Sequence, residues 1–128
     1  MKAREIFENL SYENNRQLNQ DITNLILKYE TKLTKKSILH DIDVRNRQGE
    51  GLMSPHILSL HVQDKLVDDD IVFYITLNKT LSYFSKNLNQ NFSIQKLVLI
   101  VVNPQHTIDH LSKLEEFVIQ EGRIGNEN

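Results

Sequence analysis

The sequence contains no cysteine and no tryptophan, and only four glycines and two prolines in 128 residues. Without cysteine there is no disulfide framework, no thiolate zinc site and no cysteine nucleophile. So little glycine and proline excludes collagen-like and linker-like chains, and 39% hydrophobic residues exclude a largely disordered one. Neither sign of charge is in large excess. Fifteen Lys+Arg against seventeen Asp+Glu leave a formal charge of −2, so no broad field draws the chain to nucleic acid or anionic lipid. The longest apolar run, Leu97 to Val102, falls far short of the roughly 20 residues that cross a bilayer. Met1-Lys2-Ala3-Arg4-Glu5 does not lead into an apolar signal core. The expectation is one cytoplasmic domain over residues 1–128, with chemistry drawn from histidine, carboxylates, hydroxyls or backbone.

Periodicity divides the chain. Ile6, Phe7 and Leu10 read as one side of a short helix. Leu18, Ile22, Leu25, Ile26, Tyr29 and Leu33 follow the spacing of an amphipathic helix, with Asn14 or Asn15 as N-cap. A shorter helix spans Ser37 to Val44, with Ser37 as cap. Beyond Pro55, Ile57 to Val62 alternates loosely, and Ile71 to Leu77 is rich in β-branched and aromatic residues, as a strand should be. A polar stretch, Ser85 to Ser93, precedes Leu97 to Val102, apolar on both faces and suited to a central strand covered on each side. Asn103-Pro104 ends it. A last helix is expected from Thr107, with Ile108, Leu111, Leu114 and Val118 inward and Gly122 as its stop; the tail 123–128 is expected to fray. The fold class is α/β: a single-domain mixed sheet packed by helices.

Five histidines carry the candidate chemistry, because imidazole is nucleophile, base or metal ligand near neutral pH. His40, His61 and His106 read as surface or structurally satisfied rings. No pair has the helical zinc spacing with an intervening glutamate, and a zinc site needs about three protein ligands, so no metal is expected. His56 and His110 stand apart. His56 follows Pro55, whose ring fixes φ near −65°, after a loop Gly49-Glu50-Gly51 whose glycines would let N–H groups approach an anion. His110 falls in the expected first turn of the last helix, where the positive helix end favours a neutral imidazole and an incoming anion.

Gly49-Glu50-Gly51-Leu52-Met53-Ser54-Pro55-His56 resembles the signature of the fructose/mannitol-type EIIA domains of the bacterial phosphotransferase system, in which the histidine after proline is phosphorylated. Ile71 to Leu77, Asn78 to Phe84, Leu97 to Val102 and Asp109-His110-Leu111 look like that family's later segments, in order. The resemblance implies an EIIA-like fold and a phosphotransferase in which His56 accepts phosphate from the carrier HPr and passes it to a cysteine of an EIIB partner, without cofactor. His110 would orient the phosphate, Arg47 (with Arg45 as second choice) would offer a forked donor, and Ser54 a hydroxyl. Met53, Ile57 and Leu58 would form an apolar docking face. The phosphate could instead serve as a regulatory signal in a sugar-operon transcription regulator, of which the chain would be part. Two other readings stay open: a degenerate EIIA-like interaction module, associating with its own copies through an exposed strand edge, and an unrelated small α/β binding protein.

Overall fold

The computed structural model describes residues 3–107 and 111–119; His110, Gly122 and the tail 123–128 lie outside the described residues. Among the described residues the chain runs β1 (Arg4–Leu10), α1 (Asn15–Tyr29), α2 (Lys35–Gln48), β2 (Leu52–Ser54), β3 (Ile57–Gln63), β4 (Ile71–Ser85) and β5 (Gln90–Val102), followed by a helical segment over 114–119. The five strands form one sheet in the order β1-β4-β5-β3-β2. β1 runs parallel to β4 and β3 parallel to β5, while β4–β5 and β2–β3 are antiparallel. This is the expected mixed sheet with its helices.

Alternation along the central strands builds two cores. Ile71, Phe73 and Ile75 of β4, with Leu97, Leu99 and Val101 of β5, face α1 and α2, where Leu18, Ile22, Leu25, Ile26 and Ile38 cover them. Val72 and Tyr74, with Val98 and Ile57, face the other way and are covered by Phe117. The double-sided burial of β5 is what its unbroken apolar run requires. Each buried aliphatic of α1 contributes about 1.5–3 kcal/mol.

Four local expectations are corrected. The last helix does not begin at Thr107: Thr107 and residues 111–113 are not helical and the helical segment covers 114–119, while Ile108, Asp109 and His110 lie outside the described residues, so the helix-start setting expected for His110 is not found among the described residues. Residues 4–10 are an edge strand paired to β4, not a helix: seven residues with a mixed pattern are decided by the neighbouring strand. The second helix begins a turn before Ser37. Thr34 is its N-cap, accepting from the Ser37 N–H at 3.1 Å, and Ser37 Oγ accepts from the Thr34 N–H at 3.0 Å, a reciprocal capping box. Asn14 caps α1, accepting from Gln17 N–H at 2.9 Å. The polar stretch 85–93 is mostly strand. β4 and β5 continue past the rest of the sheet as a two-stranded arm, closing through 86–89 with Asn89 at φ 51°. Asn is tolerated in that left-handed region.

Candidate functional site

The Pro-His dipeptide forms the turn of the β2–β3 hairpin. Ser54 pairs with Ile57 across it, leaving Pro55 and His56 as the two corner residues. The pairing shifts between Leu52 and Ser54, so Met53 is bulged out and 42% exposed. Ser54 Oγ accepts from the His56 N–H at 3.2 Å, stiffening the turn from inside.

β5 fastens the other side of His56. Its carbonyl oxygen accepts from both Gln95 N–H (2.8 Å) and Lys96 N–H (3.2 Å), two residues facing one, as at a β-bulge. Its ring Nδ1 lies 3.0 Å from the main-chain oxygen of Ser93. A carbonyl oxygen only accepts, so Nδ1 carries the proton and donates. Nε2 is then left with its lone pair. His56 is half-buried, its ring held at Nδ1, and among the described residues no hydrogen bond to Nε2 is seen.

The Gly49-Glu50-Gly51 loop makes structural contacts of its own. Gly49 is extended (φ 166°), and neither glycine lies in the left-handed region. A Cβ on Gly51 would stand 2.0 Å from the Ser59 carbonyl oxygen, and Gly51 O accepts from both Ser59 N–H (2.7 Å) and Ser59 Oγ (2.8 Å). Gly51 is thus required for close strand approach. Glu50 anchors the tip of the β4–β5 arm: its carboxylate accepts from Ser85 Oγ at 2.7 Å, Lys86 N–H at 2.7 Å and Asn87 N–H at 3.4 Å. The Ser85 hydroxyl, with the two amides, holds it below the ordinary glutamate range despite some desolvation. Glu50 therefore ties the chain leading into the Pro-His turn to the arm whose Ser93 holds the His56 ring.

Arg47 sits in the last turn of α2, its guanidinium 2.7 Å from Asp43, and lines a hollow of about 280 Å³ with Asn46, Glu50, Tyr83, Phe84 and Lys86. Arg45 leans toward the Gly49 carbonyl. Of the expected apolar docking residues, Ile57 (0%) and Leu58 (6%) are core, a correction their strand alternation explains; Met53 alone is exposed. His40 is exposed on α2. His61 is half-buried, and burial, with the charge of Arg45, holds it below the usual histidine value.

His106 belongs to a pair that sequence reasoning missed. Its Nδ1 lies 3.1 and 3.2 Å from the two oxygens of Asp70, which is 2% exposed and also accepts from Asn103 N–H at 2.9 Å. Asn103 Nδ2 donates to the carbonyls of Lys65 and Val67. This network closes the 64–70 loop over the end of β5. It lies at the far end of the sheet from His56, since β3 and β5 pair from Ile57↔Lys96 to Gln63↔Val102, about 20 Å at ~3.3 Å per residue. Among the described residues no group of three His, Asp or Glu side chains is gathered as for a metal, and no helix is long and apolar enough to cross a membrane.

No protein-family model matches the sequence, and no curated protein matches it. A solved structure does. The nitrogen regulatory protein IIA-Ntr of Neisseria meningitidis superposes with a TM-score of 0.59 over 94% of this chain and 75% of that one, at 11% identity. The fold is EIIA-like. At that identity the likeness concerns the fold alone, and it is to a nitrogen-regulatory IIA protein.

Proposed function

We propose that the chain is a phosphohistidine carrier or phosphorylatable regulatory domain of EIIA type, of the fructose/mannitol kind by its Pro-His signature, acting in the cytoplasm with His56 as acceptor. The hydrogen bond from His56 Nδ1 to Ser93 O carries this reading, because it fixes the tautomer that leaves Nε2 nucleophilic. Nε2 attacks the phosphorus of a phosphohistidine on an HPr-type donor; the new N–P bond forms as the donor's breaks, and the donor imidazole leaves. The phosphorylated ring keeps its Nδ1 proton on Ser93 and so carries positive charge. That charge makes it a good leaving group when a cysteine thiolate of an EIIB-type partner attacks the phosphorus, forming S–P, breaking N–P and restoring neutral His56.

The protein's part in phosphoryl transfer is positioning and charge stabilisation. Ser54, one residue from Pro55, keeps its O–H free to donate to phosphate while its oxygen accepts from His56 N–H. Arg47 would exchange the Asp43 carboxylate for a phosphate. An exposed ion pair is worth about 1 kcal/mol or less, so that exchange costs little. His110 is assigned the orienting role that the resemblance implies. No cofactor enters the transfer.

The test is incubation with phosphoenolpyruvate, enzyme I and HPr. The expected product is an acid-labile, base-stable phosphoprotein that His56→Ala abolishes. An unlabelled wild-type chain would leave the non-transferring interaction module as the reading.

A further inference from the structure

We propose that the outer edge of β1 is a self-association surface, at which two copies of this chain pair antiparallel and continue one sheet into the other. β1 is an edge strand in unbroken parallel register with β4, from Arg4↔Ile71 to Leu10↔Leu77, and Arg4 N–H donates to Asp70 O at 2.9 Å. In a parallel ladder alternate residues turn both main-chain groups to the same neighbour. Arg4, Ile6, Glu8 and Leu10 therefore bond to β4. Glu5, Phe7 and Asn9 point their N–H and C=O groups outward, where no main-chain partner meets them among the described residues.

Natural sheets blunt such edges with charged side chains, proline, bulges or a covering element. β1 carries the charges Arg4, Glu5 and Glu8 but no proline and no bulge, and its Phe7, packed on Tyr74 and Phe117, is still 49% exposed. Its charges select the occupant. When Ile6 is placed opposite Ile6 of a second copy, Glu5 and Phe7 become mutual hydrogen-bonded partners, and Arg4 of each chain faces Glu8 of the other. The two-fold axis repeats that opposite-charge pair, and the interface is self-complementary. Sliding the register by two residues one way puts Arg4 opposite Leu10 and Glu8 opposite Ile6; sliding it the other way puts Arg4 opposite Ile6 and sets Glu5 against Glu5 of the other chain. The sequence of the strand thus favours one register of a second copy of itself.

The experiment is sedimentation equilibrium of the intact chain over a concentration series, with circular dichroism to confirm folding. A reversible monomer–dimer equilibrium is expected. Glu8→Arg should shift it at least tenfold toward monomer; Glu8 makes no hydrogen bond or ion pair among the described residues, so folding should be unaffected. Arg4→Glu should do the same, although it also removes the guanidinium from the Tyr29 ring, 5.0 Å away. Mixing the two variants should restore a dimer, because each reversed charge then meets its opposite, and the doubly reversed chain should dimerise alone. A chain monomeric throughout, a dimer indifferent to Glu8→Arg, or variants that fail to rescue one another would overturn the proposal. None of these readouts depends on phosphoryl transfer.

Discussion

The ring of His56 donates its Nδ1 proton to the main-chain oxygen of Ser93, a residue 37 positions later on the paired arm of β5. The acceptor is a backbone atom, so no side chain in the sequence announces it. The register of β3 against β5, with Gln95 and Lys96 both donating to the His56 carbonyl, places it there.

Gly51→Ala should be costly, because its methyl would stand 2.0 Å from a strand carbonyl. A backbone clash of that kind is expected to destabilise by about 3 kcal/mol. Urea unfolding should show a lower midpoint at unchanged slope. Gly49→Ala, whose methyl meets only the far end of Arg45 at 3.9 Å, should lie close to wild type. Equal effects at the two glycines would refute the assigned role.

Phe117 is the keystone of the second core. It is 2% exposed, with its ring centroid 5.1 Å from Tyr74 and 6.0 Å from Phe7, and with Lys96 Nζ 4.6 Å from its centre. Phe117→Ala should cost about 3–5 kcal/mol. Thermal unfolding that barely changes would mean that the 114–119 segment does not cover this face of the sheet.

Glu5 fastens the same segment, accepting from Tyr74 Oη at 2.5 Å, Ser112 Oγ at 3.0 Å and Lys113 N–H at 3.0 Å. Burial pushes its carboxyl up, but these bonds outweigh burial and hold it below its ordinary value of 4.5. A depressed carboxyl adds stability that is present above its unfolded pKa and lost as pH falls through the folded value. Acidification below about pH 4.5 should therefore release residues 111–119 before the sheet opens. Hydrogen exchange should show this order in wild type, and Glu5→Gln should remove the pH dependence of the release.

Asp41 behaves in the opposite sense. Burial first, then the Asp64 carboxyl beside it, push Asp41 up to about 7. Because the folded value is raised, its contribution is complete below the unfolded carboxylate pKa and is lost as pH rises through about 7. Asp41→Asn should accordingly raise the melting temperature at pH 8 by a few degrees and leave it nearly unchanged at pH 4. A variant that tracks wild type at both pH values would contradict the pairing.

Much of this was legible from spacing alone. The α1 stripe at Leu18, Ile22, Leu25 and Ile26, its Asn14 cap and the double-sided β5 follow from local pattern, because each concerns a long, strongly periodic run. β1 was misread because its partner is β4, more than sixty residues downstream, and its own apolar spacing does not distinguish strand from helix. The first turn of α2 was hidden because Lys35 and Lys36 are exposed and interrupt no apolar stripe. At the site, Pro55-His56 was visible as a stiff turn. Its environment was not, because Ser93 O, Gly51 against Ser59, and Glu50 on the arm are contacts between distant strands.

The most direct test of the central claim is the nitrogen on which phosphate arrives. After phosphorylation by enzyme I and HPr, imidazole-¹⁵N-labelled protein should show phosphorus coupling at Nε2 of His56, with Nδ1 still protonated. Phosphate at Nδ1, on another histidine or on none would contradict the account.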